Sequence, residues 1–364
     1  MTLRPGGRLM LVIGGSALVV ALAGTGVAGM RGWVVRAPAA AGAPAGCVSA
    51  NKAMTLYVEQ LPDDRDGRIR LGYGLTPKTA SIPGPLVELV EGDCIAITVV
   101  NDVPARTLAA LRDRSGGGHH LPLGISLHVH GVKYTADSDG TVHSGSFVPP
   151  GQARTYTWYA APRVTVGQRV VSLGTAGYWW YHDHVVGTDH GTAGVDAGLF
   201  GGVVVRRPGD LKPVRTHTVV MGDRTSLNLR RYPATDTCRP NLPVAGPTCF
   251  VARRGERTEF LVIGIGNEFH TFHLHGHNWA DNRTGMLVSQ ADETALIDNK
   301  TVGPADSFGF QVIAGEEVGN GAWMMHCHVQ KHSDTGMMTF FRVIEPDGTM
   351  APATPMTDLV PHQH

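Results

Sequence analysis

The stretch WMMHCHVQKHSDTGMM, residues 323–338, sets the thiol of Cys327 between two imidazoles, His326 and His328, and follows it with His332 and Met337. Sulfur and imidazole donors gathered this closely suit a soft or borderline metal. The other histidines repeat the spacing: SLHVHG carries His128 and His130, YWWYHDH carries His182 and His184, and HTFHLHGH carries His270, His273, His275 and His277. In a β-strand successive side chains take opposite faces, so the two imidazoles of an HxH pair share a face and can grip one metal or two adjacent ones. A helix would space such ligands three or four residues apart. The alternation of SLHVHGV, the aromatics of YWWYHDH and the glycine bounding TFHLHGH all suit strands, so the pattern predicts four metal-bearing strand ends.

The same parity separates two kinds of site. If His326 and His328 face one way, Cys327 faces the other. His270 stands three residues before His273, an odd offset, so it faces away from the His273 and His275 pair and is free to meet Cys327. His332 lies five residues past Cys327 and Met337 five further, spacings that suit a loop folding back over the sulfur. Two histidines, a cysteine and a weak axial methionine are the blue-copper electron-transfer set. Eight imidazoles in four pairs remain. Zinc fits less well, because the chain has no CxxC pair for a structural site and a catalytic zinc takes about three protein ligands.

In these motifs the chain resembles the multicopper oxidases and, in its length, the two-domain small laccases of bacteria. The resemblance runs from about residue 54 to the C-terminus and includes SIPGPLVEL, GYWWYHDHVVGTDHGTAG, ADNRTG and GPADSFGFQVIAGE. It implies four coppers per chain. His270, Cys327, His332 and Met337 would hold type 1 copper, His128 and His273 type 2, and His130, His182, His184, His275, His326 and His328 the type 3 pair. It also implies oxidation of phenols or aromatic amines coupled to reduction of dioxygen to water, with electrons passing through Cys327 to its flanking histidines. Asp139 is the carboxylate nominated to supply protons near the type 2 copper, with Tyr134 as its neighbour. A ring of three chains is implied, each cluster lying between the first domain of one chain and the second of the next. The chain departs from the pattern in an insertion over residues 108–123, whose glycines and His119–His120 read as a loop tip. It departs also at Glu268 and Phe269, where an aromatic hydroxyl is expected. An axial methionine predicts a blue site of low to middling potential.

The elements that must position these residues follow from composition. With 364 residues, 47 Gly, 23 Pro and no long amphipathic helical stretch, the chain reads as all-β, two cupredoxin-like Greek-key barrels or sandwiches. The run GGVVVRRPGDLKPV marks the boundary, giving a first domain over 48–208, a second over 209–346 with the type 1 site, and a tail over 347–364. Each domain holds two of the four trinuclear HxH pairs, so the cluster must lie where a first domain meets a second. Residues 1–46 read as two arginines, an apolar run and an Ala/Pro/Gly linker, the order of a secretory signal or a membrane anchor. Export predicts that the four cysteines other than Cys327 pair, Cys238 with Cys249 across a Pro/Gly turn and Cys47 with Cys94 by elimination.

Acidic and basic residues balance at 31 each with no basic block, which argues against nucleic acid and leaves a small aromatic reductant and dioxygen as the partners. Two other copper functions stand beside the oxidase. A copper nitrite reductase has no use for a histidine on both sides of the blue cysteine. A cuprous-ion oxidase or copper-handling envelope protein should carry a methionine-rich insert, whereas the 12 methionines here are dispersed.

Overall fold

The computed structural model describes residues 43–62, 67–116, 120–236, 238 and 248–349. The expected signal or anchor, His119 of the insertion and most of the C-terminal tail lie outside the described residues. None of the described helices is long and apolar enough to cross a membrane.

Two sandwiches follow one another. In the first, a sheet ordered Arg70–Gly74, Lys52–Leu61, Cys94–Asn101, Ala153–Tyr159 accompanies a sheet ordered Gly84–Val90, Phe200–Arg206, Gly177–His182, His128–Val129. In the second, Ser226–Leu227, Arg215–Gly222, Arg257–Gly264 and Ser307–Ile313 form one sheet. Phe250–Arg253, Met338–Ile344, Gly321–Cys327, His270–Leu274 and Asn299–Val302 form the other. The non-sequential strand orders are those of an all-β cupredoxin-like fold. Each sandwich closes on its own apolar core, one around Leu56, Ile97 and Trp158, the other around Phe260, Phe272 and Phe341.

The strand Phe200–Arg206 is buried along its whole length, which explains why FGGVVV does not alternate with polar residues. Val203 and Val205 point into the first core, while Phe200 and Val204 join Val220, Leu261 and Ile263 in a third cluster between the domains. Gly202 lets the sheets approach, since a Cβ there would lie 2.4 Å from a Leu261 methyl. Beside this cluster the buried Glu259 carboxylate accepts both Arg206 guanidinium nitrogens at 2.7 Å, the Tyr178 hydroxyl at 2.8 Å and the Gln311 amide at 3.0 Å. Tyr178 and Arg206 belong to the first domain, Glu259 and Gln311 to the second. Removing one member of such a buried pair strands the other charge at a cost of about 3–5 kcal/mol.

A helix that the sequence reading did not include, Ala105–Arg114, leads into the insertion: Pro104 opens it, and Thr107, Leu108 and Leu111 fall on its buried face, the two leucines in the first core. Ser115, Gly116 and the exposed His120, the described residues nearest the tip, are in turns. Both disulfides, Cys47–Cys94 and Cys238–Cys249, are formed, and Cys327 is a free, buried thiol.

Candidate metal centres

Among the described residues three groups of side chains are arranged to hold a metal: His270 with Cys327 and His332, His128 with His130 and His182, and His273 with His275 and His326. Within each group the donor atoms lie within 4.8 Å of one another.

The first group is built at the end of the strand Gly321–Cys327, where Cys327 faces the second core. His270 Nδ1 and His332 Nδ1 stand 3.3 Å apart, and His332 Nδ1 lies 3.6 Å from the Cys327 sulfur. A turn closes over them: Cys327 N donates to the Met337 carbonyl at 3.0 Å, and Met337 N donates to the His332 carbonyl at 2.9 Å. Met337 is fully buried in the same apolar cluster as Cys327. Burial pushes the Cys327 thiol up, against hydrogen bonds from the Thr271 and Val329 amides. Burial also lowers His270 to about 4, aided by His332. The pocket thus holds a neutral imidazole and a protonated thiol until a cation displaces the thiol proton. Two imidazole nitrogens, a sulfur and a buried thioether residue fit copper.

The other two groups also lie at strand ends, the second-domain one on the face opposite Cys327. In every HxH pair the first histidine is in a strand and the second just past it. His128 Nδ1 donates to the Asp139 carbonyl at 2.6 Å, His182 Nδ1 to its neighbour Asp183 at 2.7 Å and His184 Nδ1 to Asp189 at 3.1 Å. In the second domain His273 Nδ1 donates to the Asp298 carbonyl at 2.9 Å and His326 Nδ1 to the Cys327 carbonyl at 2.8 Å. A ring that donates from Nδ1 presents a bare Nε2, the form a metal takes. The Nε2 atoms of His130 and His182 converge to 3.2 Å, and those of His275 and His326 to 3.3 Å. Burial and then the neighbouring imidazoles depress His130, to about 4, and lower His182, His275 and His326, which favours the neutral ring at these four positions. His328 packs against His273 and His326 with ring centroids 5.4 Å away. Among the described residues, neither group of ligand side chains includes a residue of the other domain.

Asp139 and Tyr134 both sit beside His128. The Asp139 carboxylate lies 3.6 Å from His128 Nδ1 and accepts the Thr141 hydroxyl at 2.7 Å. The Tyr134 ring meets His128 edge-on at 5.8 Å, and burial and then the Asp139 charge, with a hydrogen bond to that carboxylate, raise its hydroxyl. The first half-site opens into a cleft of about 1360 Å³ that reaches Asp223 and Arg224 of the second domain. Trp180 lines it, stacked on His182 at 4.2 Å and on His130 at 5.0 Å.

Two acids escaped the sequence reading. Asp298 occupies beside His273 the place that Asp139 occupies beside His128, with its carboxylate 3.9 Å from the ring nitrogen. Asp183, the middle of HDH, is fully buried, and its carboxyl is pushed up to about 6 by burial, against hydrogen bonds from Val186, Val185 and Ser126. Parity alone signalled that one, since the middle residue of an HxH pair must face inward. His277 is structural: its ring is tied to the His275 carbonyl at 3.0 Å and accepts Gly315 N at 3.0 Å. Glu268 lies 3.5 Å from His332 Nε2, and Phe269 is an exposed ring.

Residues 214–347 match the family model described as multicopper oxidase. A probable nitrite reductase-hydroxylamine oxidoreductase fusion protein of Kuenenia stuttgartiensis is 31% identical over 286 residues, 75% of this chain and 29% of that protein. The chain spans 22–29% of the length of the first curated relatives it matches. Among solved structures, a blue copper oxidase from Nitrosomonas europaea aligns with a TM-score of 0.53 at 20% identity, over 79% of this chain and 85% of that one. A copper nitrite reductase from the same organism aligns with a TM-score of 0.53 at 17% identity, over 83% and 97%. These two structures share the fold. The match over residues 214–347 places the second domain in the multicopper oxidase family, and the two-sandwich architecture shared with these structures extends the likeness in fold to the first.

Proposed function

We propose that the chain is a laccase-like oxidase that takes single electrons from phenols or aromatic amines and uses four of them to reduce dioxygen to water. The observation that carries this reading is the strand end His326–His328. Its middle residue faces His270 and His332, and its outer residues face the other imidazoles of the second-domain half-site. Bound copper would supply the one-electron chemistry, and we assign about four per chain, one at the sulfur and three among the eight imidazoles. His332 is the least buried of the blue-site residues and offers the edge nearest a surface substrate. Cys327 and the backbone on either side give a covalent path three residues long. Asp139 and Tyr134 hold and pass protons beside His128. Each half-site carries four imidazoles, so we assign the complete cluster to two chains in a homotrimer. The two disulfides and the order of the N-terminal residues support an exported protein, secreted or held on the outer face of the membrane.

The likeness to copper nitrite reductases favours a second reading, reduction of nitrite at a lone type 2 copper. The imidazoles on both sides of Cys327 count against it. Metal analysis with oxygen uptake decides between them: about four coppers per chain and oxygen consumed with a phenol support the oxidase, whereas two coppers and nitrite turnover overturn it. Faster uptake with Cu(I) than with a phenol would move the substrate to the cuprous ion.

A further inference from the structure

The two domains repeat one backbone frame around the middle residue of an HxH pair. In the second, Cys327 N donates to Met337 O at 3.0 Å, Met337 N donates to His332 O at 2.9 Å, and Thr271 N donates to the Cys327 sulfur at 3.5 Å. In the first, Asp183 N donates to Leu199 O at 3.0 Å, Leu199 N donates to Gly194 O at 2.9 Å, and Ser126 N donates to the Asp183 carboxylate at 2.7 Å. The residues before Met337 and Leu199 are both left-handed glycines, Gly336 at φ 109° and Gly198 at φ 116°. The register agrees as well, since His128 pairs with His182 as His273 pairs with His326. Asp183 therefore stands where Cys327 stands, Leu199 where Met337 stands and Gly194 where His332 stands. A Cβ on Gly194 would lie 2.3 Å from Asp183 Oδ2, so the carboxylate fills the space that faces the histidine in the other domain.

That carboxylate accepts Ser126 N at 2.7 Å, Val185 N at 3.1 Å and Val186 N at 2.7 Å, while Ser126 Oγ accepts His184 N at 2.8 Å. It joins the segment that carries His128 and His130 to the turn that carries His184. Hydrogen bonds to a charged acceptor are short and strong, and three of them fix a turn. We propose that Asp183 is a positioning residue of the first-domain half-site, its carboxylate pinning through backbone amides the turn that aims His182 and His184 beside His128 and His130. The inference rests on the reading that the eight imidazoles hold copper.

The test uses the copper-loaded full chain as wild type, Asp183→Asn and Ser126→Ala, following copper content and the thiolate-to-copper absorption while a chelator strips the metal. Asparagine keeps the volume but turns an N–H group toward the backbone donors. Copper outside the blue site should leave Asp183→Asn about 10–100-fold faster than wild type, the usual cost of losing a partner that orients a ligand. Ser126→Ala should shift in the same direction by less. In both variants the blue absorption and its rate of loss should match wild type, because that site lies wholly in the second domain. Unchanged retention in Asp183→Asn would overturn the inference. So would parallel loss of blue and cluster copper in both variants with a lowered Tm, which would assign Asp183 to folding alone. A wild-type chain that holds copper only at the blue site would sink the copper reading of the half-sites, and this inference with it.

Discussion

His128 and His273 are held alike, each donating from Nδ1 to the backbone carbonyl of an aspartate, Asp139 at 2.6 Å and Asp298 at 2.9 Å, yet their surroundings differ. The first-domain half-site opens into the cleft, braced by Trp180 and with Asp139 and Tyr134 against it. The second-domain half-site is backed by Cys327 and, through it, by the blue-site residues. One frame thus meets two settings, and under the proposed function the first half-site would handle protons and the second electrons. The difference lies in what the middle residue and the neighbouring loops supply, since the strand ends themselves present the same imidazole geometry.

The largest effect should come from Cys327→Ser. It removes the only sulfur flanked by cluster histidines while leaving all eight imidazoles in place. The blue absorption should vanish, type 2 copper should remain visible by EPR, and phenol oxidation should fall by at least about a thousandfold, as when one member of a unit is lost. Retained blue colour would break the division of the strand into two faces.

A second experiment asks whether the half-sites of different chains complete each other. Protomers with His128→Ala and protomers with His273→Ala should each be inactive alone. Co-assembled in equal amounts they should recover about a quarter of wild-type activity, because random neighbours pair an intact first domain with an intact second one in that proportion. No recovery in a species that light scattering shows to be trimeric would return the cluster to a single chain.

The proton side of the comparison is sharpened by Asp139→Asn. Loss of a positioned proton donor should lower kcat about a hundredfold while leaving the blue absorption and the KM for the phenol near wild type. Asp298→Asn, on the more exposed half-site, should do less. Equal effects would remove the asymmetry drawn here.

The smallest effect concerns stability. His217 lies in the second sandwich between Phe250 and Phe260, with ring centroids 5.4 Å away, and burial lowers it to about 4, with Arg215 adding to the shift. The unfolded chain binds this proton near pH 6.5 and the folded chain only near 4, so stability is lost as the pH falls through that window. The loss is on the order of 3 kcal/mol. In copper-free protein, the gap between wild-type and His217→Leu urea midpoints should change across that window. A constant gap would show that His217 does not titrate there.

Much of the site was legible because a strand has period two. HxH fixed which imidazoles share a face, the odd offset of His270 sent it to Cys327, and the even number of remaining cysteines pointed to the two disulfides that form. The helix Ala105–Arg114 was missed because two buried leucines and a threonine on ten residues are a faint periodic signal beside a glycine-rich tip. His277 shows the limit of motif reading, since its spacing continues the ligand pattern while a hydrogen bond from Gly315 commits it to the core.

The sequence by itself determined the donor types, their faces and the separation of Cys327 from its flanking histidines, because these depend only on residue identity and local backbone parity. Tertiary structure decided the rest. Asp298 reaches His273 from 25 residues away along the chain, Asp183 binds Ser126 across 57, and Glu259 gathers donors from both sandwiches. Such partners are set by which strand ends pack together. That follows from the burial of whole sheet faces, where one strand such as Phe200–Arg206 serves two cores at once and carries no local signal of which neighbour each side will meet.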